Sequence, residues 1–364
     1  MKCVCNVDWV ELYCTQDNSA LCRDFAFEVA DGLYTFSLSL REYGTRVYNR
    51  VWNVTISGQD FATICCCPLS AKGTGGILDD HACHVKVANY WLYTNKWFDM
   101  LSHALGLLVI NPKHAARIDI CCDWQFLRCG LSGGALMAGI VQRKFVKVHQ
   151  PQWAVHGIDT DKHLHVNSIG FGSKQSSVYT RFYNKSFELT TSGKTYIAEM
   201  WQNVGFKAGV PVYRVEFAMQ DIGLKSVDKS TGCCLEIDWQ RLGSREYIEE
   251  QFLYYAAYYF DVRKADNARK YRCTPIALFD HSEMSYKAWQ NPRNVRSSRT
   301  SRMVINYLRD NAAALGISPD ATNALMQVLY AEMFNANITK LYEDRERKRP
   351  VVGLEGDADE CIMS

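Results

Sequence analysis

The chain of 364 residues has no run of about 18 consecutive apolar residues, and so offers no helical membrane span. Its first residues, MKCVCNVDWVELYC, lack the basic and apolar regions of a secretory leader, which makes a cytoplasmic protein the expectation. Proline is scarce, with eight residues, and a net charge of only +2 excludes an overall basic or acidic tail-like chain. No internal repeat is found. The glycine-rich stretch KGTGGILDDHAC lacks the lysine and hydroxyl residue that would complete a phosphate-binding P-loop. What the chain does have is an ordinary globular composition, 48% apolar and 22% charged, enough for substantial cores.

Fifteen cysteines are present, several of them consecutive (Cys65 to Cys67, Cys121-Cys122, Cys233-Cys234) inside apolar runs. An odd count in such runs reads as reduced thiols packed as small hydrophobes. Cys3, Cys5, Cys14 and Cys22 could be taken for a zinc site, but they lack paired CxxC spacing.

Along the chain, alternation predicts strands at NVDWVELYC, VYNRVWNVTISG, DFATICCCP, HVKVANYWLYT, RIDICCDWQ, HLHVNSIGFGS, SSVYTRFYNK and PVYRVEFAMQ. Helical spacing predicts NKWFDMLSHALGLLV, capped by Asn95, then GGALMAGIVQRKFVKVHQ and a short helix near KTYIAEMWQNVG. Beyond about residue 240 three further helices are expected, REYIEEQFLYYAAYYF, TSRMVINYLRDNAAALG and SPDATNALMQVLYAEMF, followed by a charged tail. The expected fold is α+β: a mainly antiparallel central sheet flanked by helices over 1–240, a basic helical region over 241–340 and a tail over 341–364. From Arg263 to Arg309 there are eleven Lys or Arg against three acids, a local footprint suited to a phosphate backbone or to a solvated helix face.

Three strands place ions where a plain core strand would not. In RIDICCD, Arg117, Asp119, Cys121 and Asp123 share one face. Such paired carboxylates can ligate a hard divalent cation or simply face solvent. In PVYRVEFAMQ, Arg214 and Glu216 share a face, and in SSVYTRFYNKSFE so do Tyr179, Arg181, Tyr183 and Lys185. Flanking cations favour a phenolate at such a tyrosine; a cation–π ladder is the non-catalytic alternative.

The ordered blocks RIDICCD, then IGFGSKQS with YTRFYNKSFE, then YRVEFAMQ resemble the trans-acting replication initiators of rolling-circle plasmids and related relaxases of mobile elements. The resemblance spans roughly residues 80 to 220. It implies that Tyr183 attacks DNA to give a 5′-phosphotyrosine and a free 3′-hydroxyl, with Lys185 and Arg181 holding the scissile phosphate. It also implies Asp119, Asp123 and Glu216, with Glu188, around Mg²⁺ or Mn²⁺, and Ser173 and Lys174 in a DNA-contacting turn. Lys86 stands where many members carry a glutamate. Arg293, Arg296 and Arg299 are the expected backbone contacts of the basic stretch. The partner that the resemblance implies is locally single-stranded origin DNA, with a helicase and a second copy of the chain as further candidates. Three alternatives stay open: His163-Leu164-His165 as a metal-binding pair, a non-catalytic origin- or repeat-binding protein, and a core in which the three polar strands form salt bridges.

Overall fold

The computed structural model describes residues 3–16, 21, 27–31, 34–69, 80–127, 129–160, 163–227, 234–279 and 318. The two helices expected after residue 300, the charged tail, Cys22 and Arg293, Arg296 and Arg299 fall outside them.

The first strands are β1 (Cys3–Gln16), β2 (Phe27–Asp31), β3 (Tyr34–Leu40), β4 (Tyr48–Ile56), β5 (Gln59–Pro68) and β6 (Ala82–Val87). Then follow α1 (Asn89–Leu92), α2 (Trp97–Leu107), β7 (Ile110–Trp124), α3 (Gly133–Val141), β8 (Phe145–Lys147), β9 (Trp153–Thr160), β10 (His163–Phe171) and β11 (Val178–Asn184). The rest are α4 (Lys185–Ser192), α5 (Thr195–Asn203), β12 (Tyr213–Gln220), β13 (Lys225–Val227), β14 (Cys234–Glu236), α6 (Arg245–Tyr259) and β15 (Val262–Lys264). Eleven strands form one sheet in the order β2-β3-β4-β5-β6-β1-β7-β12-β11-β10-β9, and the registers described are antiparallel. The architecture is the expected α+β one. The three ion-bearing strands are consecutive neighbours, β7-β12-β11.

Alternation explains why the sheet has two unlike faces. Ile118, Ile120, Cys122, Val215, Phe217 and Phe182 point into the main core, where Phe217 meets Phe252 and Tyr255 of α6. Alternate positions carry the ions. Part of that second face is covered by a smaller apolar cluster in which Ile197 and Trp201 of α5 pack with Val4 and Val212. Eleven cysteines are free thiols among the described residues, most of them buried, as small hydrophobes would be.

Several local expectations are corrected. HVKVANYWLYT leaves the sheet at Val87, and Asn89–Leu92 is helical. The N-cap of α2 is Lys96, not Asn95. The helix opened by Gly133 ends at Val141, because Arg143 turns with φ 62° and Phe145–Lys147 is a strand. α6 packs on β1 and β7, so residue 240 is no break in this core. The described part of the basic stretch, up to Phe279, holds a strand and a short 3-10 turn rather than an α-helix.

Two compact units are distinguished: residues 1–225 with 236–289, and 226–235 with 290–364. Everything below concerns the first. No described helix is long and apolar enough to cross a membrane.

Arg214 is fully buried, 0% exposed. Its Nε and Nη2 donate to both oxygens of Asp123 at 2.6 and 2.7 Å, and its Nη1 donates to Asp8 at 2.9 Å. Removing one partner of a buried ion pair leaves the others uncompensated, a cost of about 3–5 kcal/mol. Arg214→Met should therefore destabilise the protein by about that much in denaturant unfolding. A loss below about 1 kcal/mol, the range of surface ion pairs, shows that the cluster carries no such strain.

Candidate active site

The registers across the three strands build the site row by row. Arg181 faces Glu216, and Glu216 faces Cys121. One row along, Tyr183 faces Arg214 and Arg214 faces Asp123; on the other side, Tyr179 faces Ala218 and Ala218 faces Asp119. β1 enters through a bulge: Val7 pairs with Ile120 and Trp9 with Asp119, leaving Asp8 as the extra residue. The bulge turns Asp8 toward Arg214.

These side chains wall a cleft of about 650 Å³. Tyr183, Arg181, Lys185, Asp119, Glu216, Glu188 and Lys174, all named from sequence, line it. Asp8, Trp9, Arg117 and Asn89 join them. Asp123 does not; nor does Ser173, whose amide N–H donates to the Ser176 hydroxyl oxygen at 3.1 Å in the turn.

Tyr183 is the centre. Its hydroxyl donates to Glu216 Oε2 at 2.8 Å. Glu216 Oε1 accepts from Nε and Nη2 of Arg181, whose guanidinium also lies 5.1 Å from the Tyr183 ring centre. Burial, and next the charge of Glu216, push the phenol well above its ordinary range, while Arg214 and Arg181 pull it down. The neutral phenol is thus the resting form, with a carboxylate in place to take its proton.

Asp119 is 2% exposed and clasped by Arg117 through Nε and Nη2 at 2.8 and 2.7 Å. Burial pushes its carboxyl up to about 7; Arg117 opposes this and the charge of Glu216 adds to it. Lys185, expected on the strand with Tyr183, instead opens α4. Asn184 caps that helix by accepting from the Phe187 amide at 3.0 Å. Lys185 is buried, with its ammonium 2.6 Å from Glu188 and 5.6 Å from the centre of the Tyr183 ring. Glu188 thus serves the lysine, one helical turn away.

The set of cation ligands changes accordingly. Both Asp123 oxygens take Arg214, and Oδ2 also takes the Trp201 indole N–H at 2.8 Å. Asp123 belongs to the salt-bridged core that the sequence left open as an alternative. Among the described residues no group of three or more His, Cys, Asp or Glu is gathered for a metal ion. Asp119 and Glu216 remain as two hard-oxygen donors opening on the cleft. Such a pair suits Mg²⁺, which binds through one or two carboxylates with water and substrate phosphate completing the shell. His163 and His165 lie in β10, but their side chains are outside the described residues.

Sequence reasoning passed over Asp8, although NVDWVELYC carried a signal. Asp8 stands in phase with Val10 and Leu12, an acid in an apolar register, as a bulge requires. Tyr93, whose hydroxyl donates to Asp8, had no signal.

The Asp119 carboxyl makes stability depend on pH. An unfolded aspartate ionises near ~4, whereas the folded one keeps its proton up to about 7. The folded chain therefore binds the extra proton across that window, and this contribution, complete below about pH 4, is lost as pH rises through 7. Melting temperatures of wild type and Asp119→Asn, compared from pH 4 to 8, should differ in slope in that sense. Parallel curves would clear Asp119 of the effect.

No family model matches the chain, and no curated protein matches it. Among solved structures it is similar to a rolling circle replication initiator protein from Geobacillus stearothermophilus, at 13% identity with a TM-score of 0.42, over 76% of this chain and 93% of that one. A likeness that distant decides neither fold nor activity.

Proposed function

We propose that the chain is a DNA-nicking protein of the replication-initiator or relaxase kind, with Tyr183 as its nucleophile. The observation that carries this is the Tyr183–Glu216–Arg181 arrangement in the wall of a cleft that also holds Lys185 and Arg117. A nucleophile in hydrogen-bond reach of a base, which a third group orients, is the pattern of activated-nucleophile catalysis. A phosphodiester strand supplies the anionic substrate that the lysine and arginines would hold.

In the proposed step the Tyr183 oxygen forms a bond to phosphorus as its proton passes to Glu216. The bond from phosphorus to the leaving 3′-oxygen breaks. The products are a 5′-phosphotyrosyl chain and a 3′-hydroxyl, the leaving oxygen taking up a proton. Arg181 keeps Glu216 in place and Lys185 faces the ring. Of the two candidate donors Asp119 would hold Mg²⁺ or Mn²⁺, since Glu216 takes the proton, and the ion would supply neutralisation of charge developing on the phosphate oxygens. Because the phosphodiester energy is kept in the adduct, the strand can be rejoined.

Tyr179 is the competitor. It lies on the same strand face and is less buried than Tyr183. Its ring sits over Gly170, where a Cβ would come within 2.1 Å of the phenol oxygen. It has no carboxylate opposite, only Ala218.

The test is nicking of a supercoiled plasmid carrying the sequence around the chain's own coding region, with and without Mn²⁺, followed by peptide mapping of the adduct. Tyr183→Phe should lose nicking by at least about 10³-fold while costing only about 1 kcal/mol of stability. Glu216→Gln should be strongly impaired too, with its Arg181 contact kept. Nicking by the Tyr183→Phe protein, or an adduct on Tyr179, overturns the assignment. DNA retained but never cut by the wild type favours a non-catalytic binding protein.

A further inference from the structure

The face that carries the site does not stop at the cleft. One row of side chains runs across seven strands through directly opposed residues: Ser39, Asn53, Thr63, Lys86, Glu11, Arg117 and Gln220. All seven are polar or charged, and none is buried. Exposed Arg41 lies along this row, donating to Asn53 Oδ1 at 2.7 Å and Thr63 Oγ1 at 3.4 Å. The next residue along each inner strand is a buried Trp52, Ile64, Val85 or Leu12, which belongs to the main core. This face is thus set apart from the core by alternation alone.

A second row lies beside the first. Cys65, His84, Tyr13 and His114 are opposed in turn. The Tyr13 and His114 rings stack at 5.0 Å, and His84 lies 6.5 Å from Tyr48. On the cleft side of the first row, Trp9 is held between Lys86, 3.6 Å from its ring centre, and Arg117 at 4.6 Å. Arg117 and Gln220 line the cleft and belong to the row, so the two surfaces are continuous.

We infer that this face is a track for single-stranded DNA leading to the nicking site. Lys86 and Arg117 in the first row, with Arg41 lying along it, stand against one acid of the row, Glu11. The acids Glu28 and Asp60 lie outside the row, in the neighbouring register of Ser37 and Thr55. Amide and hydroxyl groups among the cations offer hydrogen bonds to backbone and base edges. The flanking rings offer stacking, the combination used by sheet surfaces that bind single strands without sequence preference. Seven strands at about 4.8 Å spacing give a path of about 30 Å. The inference rests on the reading of the cleft as a nicking site.

The experiment uses the full chain and a fluorescein-labelled 30-mer of deoxythymidylate, with anisotropy measured over a range of salt. Arg41→Gln with Lys86→Gln should weaken binding about tenfold near physiological salt and reduce the salt slope by about 1.4. Glu11→Gln removes the one acid of the row and should tighten binding by about threefold, a gain that misfolding cannot imitate. Equal affinity and slope in all three proteins overturns the track, and so does a loss confined to duplex DNA. Plasmid nicking separates this inference from the one beneath it. If the track variants bind as wild type while wild type still nicks, the track fails and the nickase stands. If wild type never nicks but the variants lose the 30-mer, the face binds DNA and the nickase fails.

Discussion

One buried guanidinium organises the ion-bearing face of the sheet. Arg214 on β12 ties Asp123 on β7 to Asp8 on β1, so three adjacent strands are joined by side chains as well as by their ladders. Trp201 of α5 closes the remaining side through Asp123, and Tyr93 closes it through Asp8. In so little water a charge is tolerated only when fully paired. Burial would favour the neutral form of Arg214, but the charge of Asp123 overcomes it and holds the guanidinium well above its ordinary range. The charge of Arg214, with Lys185 adding to it, keeps the Asp8 carboxyl far below its usual range despite burial. The cluster is thus a fixed floor on which the more exposed groups rest.

Above that floor the acids are divided by which arginine reaches them. Arg117 and Arg181, with side chains 36% and 42% exposed, can turn toward a ligand; Arg214 cannot. Asp119 and Glu216 are therefore held by cations that an incoming phosphate can compete for. Asp123 is held by one that nothing from solvent reaches. The two roles differ although the two aspartates are four residues apart on one strand.

Strict alternation made much of this legible in advance. RIDICCD, YTRFYN and YRVEFAMQ each put ions on one face and apolar residues on the other, and a sheet that buries the apolar face must bring the ions together. The roles of individual acids were less legible, for three physical reasons. Strand spacing says which face Asp123 occupies but not that Trp201 of α5 lies over it. The asparagine of FYNK caps a helix, so the lysine after it leaves the strand and pairs with Glu188. A bulge defeats simple counting, which is why Asp8 stayed hidden among apolar neighbours.

The length of β7 has a consequence of its own. This single strand of 15 residues carries Asp123 beneath α5, Asp119 in the cleft, and Arg117 and His114 on the open face beyond. Between Asp119 and His114 the backbone advances on the order of 15 Å, through one register shift at Ala116, hydrogen-bonded along this stretch to β1 and, near Asp119, to β12. β7 therefore acts as a ruler: the separation between its chemistry-bearing end and its far end is set by strand rise. Evolution can re-address such a protein by altering the loops at its rim, but it cannot lengthen the gauge without rebuilding the whole sheet.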